Sequence, residues 1–320
     1  MKPGVLAPSS PAFDRAFSFG DGEASLSVQG FRPKPGIQSM QGKTIVATGA
    51  TSGIGEVAVL ALAGLGARVV FIARDEARAQ ATMGKLEAKA PGLGHRVHLA
   101  DLSSMAETRK VGETIAANEP RIDVLINNAG ALFSYRRVTP EGLELTFALN
   151  HMAYFVLTEA LRDKLVASAP ARIVSTSSSA HQGMSLDFSD LQSAKGYNGL
   201  RVYGRSKLAN ILFTRELARR LAGTEVTANC LHPGAVATRF GDSSGGFAGG
   251  LIRFLRLFFI SPEKGADTII YLASSPEVEK TTGEYFVKRG VKEPSRAARD
   301  DTTARRLWIE SDKLASAAMA

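Results

Sequence analysis

From Lys43 onward the chain alternates short apolar runs with stretches of helical length, and this alternation leaves few folds open. The runs fall at 44–47, 68–72, 96–99, 123–127, 172–176, 226–231 and 285–287. Helical stretches fall at 54–65, 75–89, 104–118, 141–167 and 201–222, and another opens at Pro262-Glu263 with Ser261 as its N-cap. A strand wetted on one side would alternate apolar and polar residues; these runs are predominantly apolar without that alternation, so they read as covered on both faces. Strands of a parallel sheet between two helical layers are covered in that way. The expectation is one doubly wound α/β domain with its functional residues beyond the carboxyl ends of the strands. The sequence shows no internal repeat.

The first run ends in Thr48-Gly49-Ala50-Thr51-Ser52-Gly53-Ile54-Gly55. Glycines there permit a tight turn and let the backbone approach a pyrophosphate, which then sits at a helix N-terminus. Strand, glycine turn and helix in that order point to a Rossmann-type cofactor site, with Gly49, Thr51, Ser52, Gly53, Ile54 and Gly55 as its candidate residues. The spacing is G-x-x-x-G-x-G rather than G-x-G-x-x-G. About 20 residues further on, such a fold declares its ribose preference. The second run ends in Ile72-Ala73-Arg74-Asp75. Ala73 cannot hold the 2′-hydroxyl of NAD, whereas Arg74 could pair with a 2′-phosphate and stack on adenine. NADP (NADPH) is therefore favoured over NAD. In the competing reading Arg74 is solvated, and Asp75 is the ribose ligand or a helix cap.

Tyr203 and Lys207 stand four residues apart in a helical stretch, which puts them on one face about one turn apart. A phenol ionises near pKa ~10, too high to exchange a proton readily at neutral pH. A cation within roughly 4–6 Å favours the phenolate and lowers that value by ~1–3 units. Such a pair could move a proton while a cofactor moves a hydride.

Further motifs stand with these in a recognisable order: Asp101-Leu102, Asn127-Asn128-Ala129-Gly130, Asn150, the serine run from Ser175 to Ser179, and Pro233-Gly234. Over residues 41–310 the chain resembles the short-chain dehydrogenase/reductase family. Leu149-Asn150-His151, Phe155 to Thr158, Ser206 to Asn210 and Leu212 to Leu217 resemble its retinol dehydrogenase branch. The resemblance implies that Tyr203 is the general acid/base and that Lys207 lowers its pKa and binds the nicotinamide ribose. It implies that Ser178 hydrogen-bonds the substrate oxygen, with Ser177 as the competing register, and that Asn150 holds a water linking Lys207 to solvent. Asp101, beside Leu102, resembles the adenine contact, while Asn128, Ala129 and Gly130 would line the cofactor. After Pro233 and Gly234, Val236 and Thr238 resemble the contacts to the nicotinamide carboxamide. One departure is the 25-residue separation of Ser178 and Tyr203, roughly twice that of many family members. Retinol dehydrogenases resemble this chain in the longer spacing, so Met184 to Tyr197 reads as a flap near the substrate mouth.

The implied activity is interconversion of an alcohol and an aldehyde or ketone, with a lipophilic substrate. A non-catalytic NADP-binding regulator or scaffold is the alternative. Neither reading needs a metal, and His95, His98, His151, His181 and His232 form no ligand-like set; His95 and His98 read as a surface pair. The net charge of +8 comes from scattered basic residues, which argues against a nucleic-acid partner. One cysteine, Cys230, permits no intrachain disulfide and suits a cytoplasmic location. Gly241-Asp242-Ser243-Ser244-Gly245 fits a hydrolase elbow in spacing but lies in a Gly/Ser-rich loop, so 238–262 reads as a substrate loop instead. Within it, 251–260 could roof a lipophilic pocket, touch a membrane peripherally, or pack as core or dimer surface. Residues 1–40 read as an irregular extension and 311–320 as a C-terminal tail. Helices at 149–167 and 201–222 would carry the family's homodimer or homotetramer contacts.

Overall fold

A computed structural model describes residues 36–234 and 261–318 of the chain. Eight strands form one sheet: β1 (Thr44–Thr48), β2 (Arg68–Ala73), β3 (Arg96–Leu99), β4 (Val124–Asn127), β5 (Ala171–Thr176), β6 (Val226–His232), β7 (Tyr285–Val287) and β8 (Gly290–Val291). Their spatial order is β3-β2-β1-β4-β5-β6-β7-β8, parallel up to β7, with β8 antiparallel at the edge. All residues of β1 and β4 are buried, as apolar runs in a covered sheet require. The strand order reverses between β1 and β4, which opens a crevice at their carboxyl ends.

Helices α1 (Gly53–Gly64), α2 (Glu76–Lys89) and α7 (Pro262–Ser274) pack together on one side of the sheet, α1 against both others. On the other lie α3 (Met105–Asn118), α4 (Leu145–Phe147), α5 (Ala153–Ala167) and α6 (Gly199–Arg220). Ser261 caps α7 by accepting from the Lys264 N–H, with Pro262 in the first turn, as the sequence suggests. The helix expected from residue 141 begins instead at Leu145. Gly142 (φ +82°) donates its N–H to the Thr139 carbonyl at 2.9 Å, closing a turn, and the Glu144 carboxylate then caps α4 at the N–H groups of Thr146 and Phe147. Between α4 and α5 the backbone widens into a π turn at Ala148–Met152, which contains Asn150.

The packed structure also reaches past both expected ends of the domain. Met40 is buried and donates its N–H to the Leu65 carbonyl at 2.8 Å. At the other end α8 (Asp301–Ala317) runs through the segment expected to be a tail, because Leu307, Trp308, Ser311 and Ala315 share a buried face. Trp308 stacks on Phe213 of α6 (centroids 5.7 Å, 13°) and meets Phe155 of α5 edge-on at 5.0 Å. Each such aromatic pair contributes about 0.5–1.5 kcal/mol beyond its buried area. The apolar faces of α5 and α6 are thus partly covered within the chain.

His95 is a further difference, because it is buried rather than part of a surface pair. Its Nδ1 accepts from the Val69 N–H at 3.0 Å, and its Nε2 lies 3.1 Å from the Ala90 carbonyl, pinning the end of α2 to β2. Desolvation lowers its pKa, as a neutral ring in those two bonds requires.

Candidate active site

After Thr48 the chain turns through Gly49 (φ +66°) and Gly53 (φ +57°) into α1, with Thr51 and Ser52 between them. A Cβ on Gly55 would lie 2.1 Å from the Gly49 carbonyl oxygen, and one on Gly49 would lie 2.9 Å from the Ala129 backbone. Neither neighbour is a side chain that could swing away. Ser52, at the N-cap of α1, makes no side-chain cap, so the first-turn N–H groups beside Ile54 are available to an anion. Thr48 Oγ1 accepts from the N–H groups of Asn128 (2.9 Å) and Ala129 (3.0 Å). Asn128 in turn donates to the Gly49 carbonyl (3.3 Å) and accepts from Thr176 Oγ1 (3.1 Å). These bonds draw the ends of β1, β4 and β5 around the crevice. A bare backbone and an uncapped helix fit a dinucleotide's pyrophosphate.

At the outer end of the crevice, Asp75 is committed to capping α2, accepting from the Arg78 N–H at 2.9 Å. Arg74 points into solvent, 74% exposed, with Nη1 3.9 Å from Asp101 Oδ2. Asp101 also accepts from the N–H and hydroxyl of Ser103 (2.9 and 2.8 Å), and Leu102 beside it is buried.

At the inner end, α6 carries Tyr203 and Lys207 on one face, with the Lys207 Nζ 5.5 Å from the Tyr203 ring centroid. Lys207 is buried and donates to the Thr176 carbonyl at 3.1 Å. The Ser178 side chain faces the Tyr203 hydroxyl closely enough to work against the rise of its pKa. Ser177 faces elsewhere, donating to the Lys207 carbonyl at 2.7 Å, so of the two serines only Ser178 meets the phenol. Asn150 Oδ1 accepts from the Ala131 N–H at 2.8 Å, while its Nδ2 donates to the Ala131 carbonyl and to Ser206 Oγ, both at 3.0 Å. A Cβ on Gly130 would lie 3.0 Å from Asn150 Oδ1 and 3.5 Å from Lys207 Nζ, so Gly130 lets these groups converge. The electrostatics differ from the expected acidified phenol. Burial pushes the Tyr203 pKa up, with Ser178 working against the rise, and brings Lys207 down to about 7. Desolvation favours both neutral forms and outweighs the pull between the pair.

A family model described as short chain dehydrogenase matches residues 43–245. The chain belongs to the short-chain dehydrogenase family. It is an NAD(P)-dependent oxidoreductase that interconverts alcohols with aldehydes or ketones. It is 43% identical to "Retinol dehydrogenase 14" of Homo sapiens over 87% of each chain, and 39% identical to the human "Retinol dehydrogenase 13" over 88% of this chain and 86% of that one. Among solved structures it is similar to an uncharacterized protein from Mycobacterium Paratuberculosis (TM-score 0.70, 30% identity, covering 88% of this chain and 96% of that one). It is also similar to the NADP active-site complex of RhlG from Pseudomonas aeruginosa (TM-score 0.62, 28% identity, covering 78% and 95%).

Pro233 and Gly234 follow β6 at the same end of the sheet. Val236, Thr238, the 241–245 motif, the stretch 251–260 and all but the last two residues of the 238–262 loop lie outside the described residues. The insertion Met184–Tyr197 is anchored rather than free-standing. Tyr197 donates to the Phe133 carbonyl at 3.1 Å, and Gln192 Oε1 accepts from the Glu144 N–H at 2.7 Å. Met184 packs on Gly204, next to Tyr203. A polar cleft of about 220 Å³ lies between the insertion and α6, lined by Asp187, Asp190, Lys195, Arg201 and Arg205 but not by Tyr203 or Lys207. Its two carboxylates are occupied as turn caps within the insertion.

Two residues of the site escaped the sequence reading. His181 Nε2 accepts from the Ser295 N–H at 3.1 Å, so Nδ1 carries the proton and donates to the Ser178 carbonyl at 2.7 Å, holding the serine turn. Its spacing from Ser178, three residues, was the available signal. Tyr154 lies four residues after Asn150 and presents its ring to Lys207.

Proposed function

We propose that the chain reduces lipophilic aldehydes or ketones with NADPH, and oxidises the corresponding alcohols in reverse, with Tyr203 carrying the proton. The observation behind this reading is Ser178 facing the Tyr203 hydroxyl, with the Lys207 amine buried 5.5 Å from the centre of the same ring. When bound, the nicotinamide supplies or takes the hydride at the substrate carbon. Ser178 and Tyr203 both bond the substrate oxygen; burial keeps Tyr203 protonated, and it gives up that proton as negative charge develops there. Lys207 stabilises the resulting phenolate and holds the nicotinamide ribose. Asn150 serves the proton relay while its amide fixes the loop at Ala131 and the Ser206 hydroxyl. All four positions being filled, nothing in the site favours the non-catalytic reading. A lipophilic substrate is supported by the relatives named retinol dehydrogenases. The test is a panel of apolar aldehydes, ketones and alcohols followed by nicotinamide absorbance; no turnover with any of them under either cofactor would overturn the reading.

Preference for NADP is supported by Ala73, which offers no carboxylate to a ribose hydroxyl, and by the reach of Arg74 toward a 2′-phosphate; that Arg74 is solvated beside Asp101 and Asp75 caps α2 is what the competing reading describes. Arg74→Ala is expected to raise the KM for NADPH about 10- to 100-fold, the worth of one charge-assisted contact, and to leave that for NADH in place. A wild-type enzyme that favoured NADH would contradict it. Ser178→Ala is expected to lower kcat about 100- to 1,000-fold. Ser177→Ala, which removes a helix-to-strand bond, should chiefly lower the melting temperature. Equal kinetic losses in the two variants would reverse the assignment of the serines.

The proposal includes a cytoplasmic location, for which the single cysteine, Cys230, buried and in no disulfide, is the support. It includes a homodimer or homotetramer, supported by the family resemblance. Peripheral membrane contact would fall on 251–260. Among the described residues no helix is long and apolar enough to cross a membrane.

A further inference from the structure

Lys207 carries an ionisable amine held 2% exposed. Among the described residues no carboxylate pairs with it, and burial alone accounts for its lowered pKa. The groups that face it can be named element by element. β5 supplies the Thr176 carbonyl at 3.1 Å, and α6 supplies the Tyr203 ring at 5.5 Å. The π turn brings Asn150 near, as the shared approach to Gly130 shows. From α5 comes the ring of Tyr154, its centroid 5.8 Å from Nζ. The ammonium therefore has an aromatic ring from each of two helices. Tyr154 is 1% exposed, and its hydroxyl has no hydrogen-bond partner among the described groups. The contact that the structure gives between Tyr154 and Lys207 is made by the ring, not by the hydroxyl.

We propose that Tyr154 is a positioning residue for the reaction: its ring and that of Tyr203 form a two-ring aromatic seat that favours the charged form of Lys207 and keeps it in place. A cation over a ring face is favoured most where it is desolvated, as here. Removing one ring lowers the charged form's stability while leaving the neutral amine almost untouched. The Lys207 titration then moves to lower pH. This inference rests on the reading of Lys207 as an ammonium in catalysis, and its test is chosen to be independent of turnover.

The experiment is a pH titration of 13C-lysine-labelled full-length protein by NMR, with the Lys207 resonance identified by its loss in Lys207→Arg. Tyr154→Leu should lower the Lys207 midpoint by about one pH unit, whereas Tyr154→Phe should leave it in place. Tyr154→Met serves as a second ringless variant if the leucine protein does not fold. In kinetics, the alkaline limb of the kcat/KM profile should move down with the NMR midpoint in the ringless variants alone. The proposal is overturned if the ringless variants titrate with the wild type, or if Tyr154→Phe shifts as far as they do. If the midpoints shift as expected but the wild type turns over no carbonyl or alcohol, the seat stands and the oxidoreductase reading of the site is what fails.

Discussion

Tyr203→Phe should leave a folded, NADPH-binding protein whose kcat is lower by about 1,000-fold. The substitution removes only the oxygen. The ring that faces Lys207 at 5.5 Å remains, so the ammonium keeps its seat and its bond to Thr176. What disappears is the proton donor, together with its interaction with Ser178. Loss of one hydroxyl interaction costs about 1 kcal/mol at most, too little to unfold the domain. An NADPH fluorescence titration and a steady-state assay on one preparation separate the two effects. Undiminished carbonyl reduction would refute the assigned proton route, whereas a loss confined to KM would mean that Tyr203 binds substrate without exchanging a proton.

At the other end of the crevice, Gly55→Val should abolish cofactor binding in the usable range, raising the NADPH Kd more than about 100-fold. A Cβ at residue 55 meets the Gly49 carbonyl at 2.1 Å, and that carbonyl is held in turn by Asn128. The clash cannot be relieved by a rotamer change, so the turn has to open and the N–H groups of α1 swing off the pyrophosphate position. Gly84 in α2 provides the control. A Cβ there meets nothing within 4 Å, and Gly84→Ala should stabilise the protein by about 0.4–1 kcal/mol with no change in cofactor affinity. Isothermal titration with NADPH, beside thermal melts, checks both. Unchanged affinity in the valine variant would place the cofactor elsewhere.

The parts of this fold that were legible in advance are those written in local spacing. The apolar central strands, the glycine turn, the proline and serine at the start of α7 and the i, i+4 pair on α6 all depend on neighbours in sequence, whereas β3 (Arg96–Leu99) is exposed at both ends and departs from the expected covered run. Ser178 was harder, because one residue of register at a strand end decides whether a hydroxyl meets Tyr203 or the Lys207 carbonyl. The π turn around Asn150 has no compositional mark. His95, His181 and Tyr154 were read as bland or passed over because their partners (Val69, Ser295 and Lys207) lie far away in sequence. Strand β8 was missed for a different reason. It is two residues long and is reached through Lys288 and Arg289, both at positive φ, where a glycine would have given the turn away. The acidified phenol expected of the Tyr203–Lys207 pair failed on desolvation, which depends on how deeply the pair is packed and not on how far apart its members stand in sequence.

The closing of α8 over α5 and α6 has a consequence for how the chain is made. A ribosome delivers the whole sheet and both of those helices before residue 301 is synthesised. Until then Phe155 and Phe213 lack the indole that covers them, and the His151 imidazole lacks the Ser311 hydroxyl 2.9 Å away. Until α8 folds back, the nascent chain presents an uncovered aromatic face to aggregation and to proteases. A stop codon a few residues before Trp308 would release a chain with nearly every active-site residue and an uncovered aromatic face.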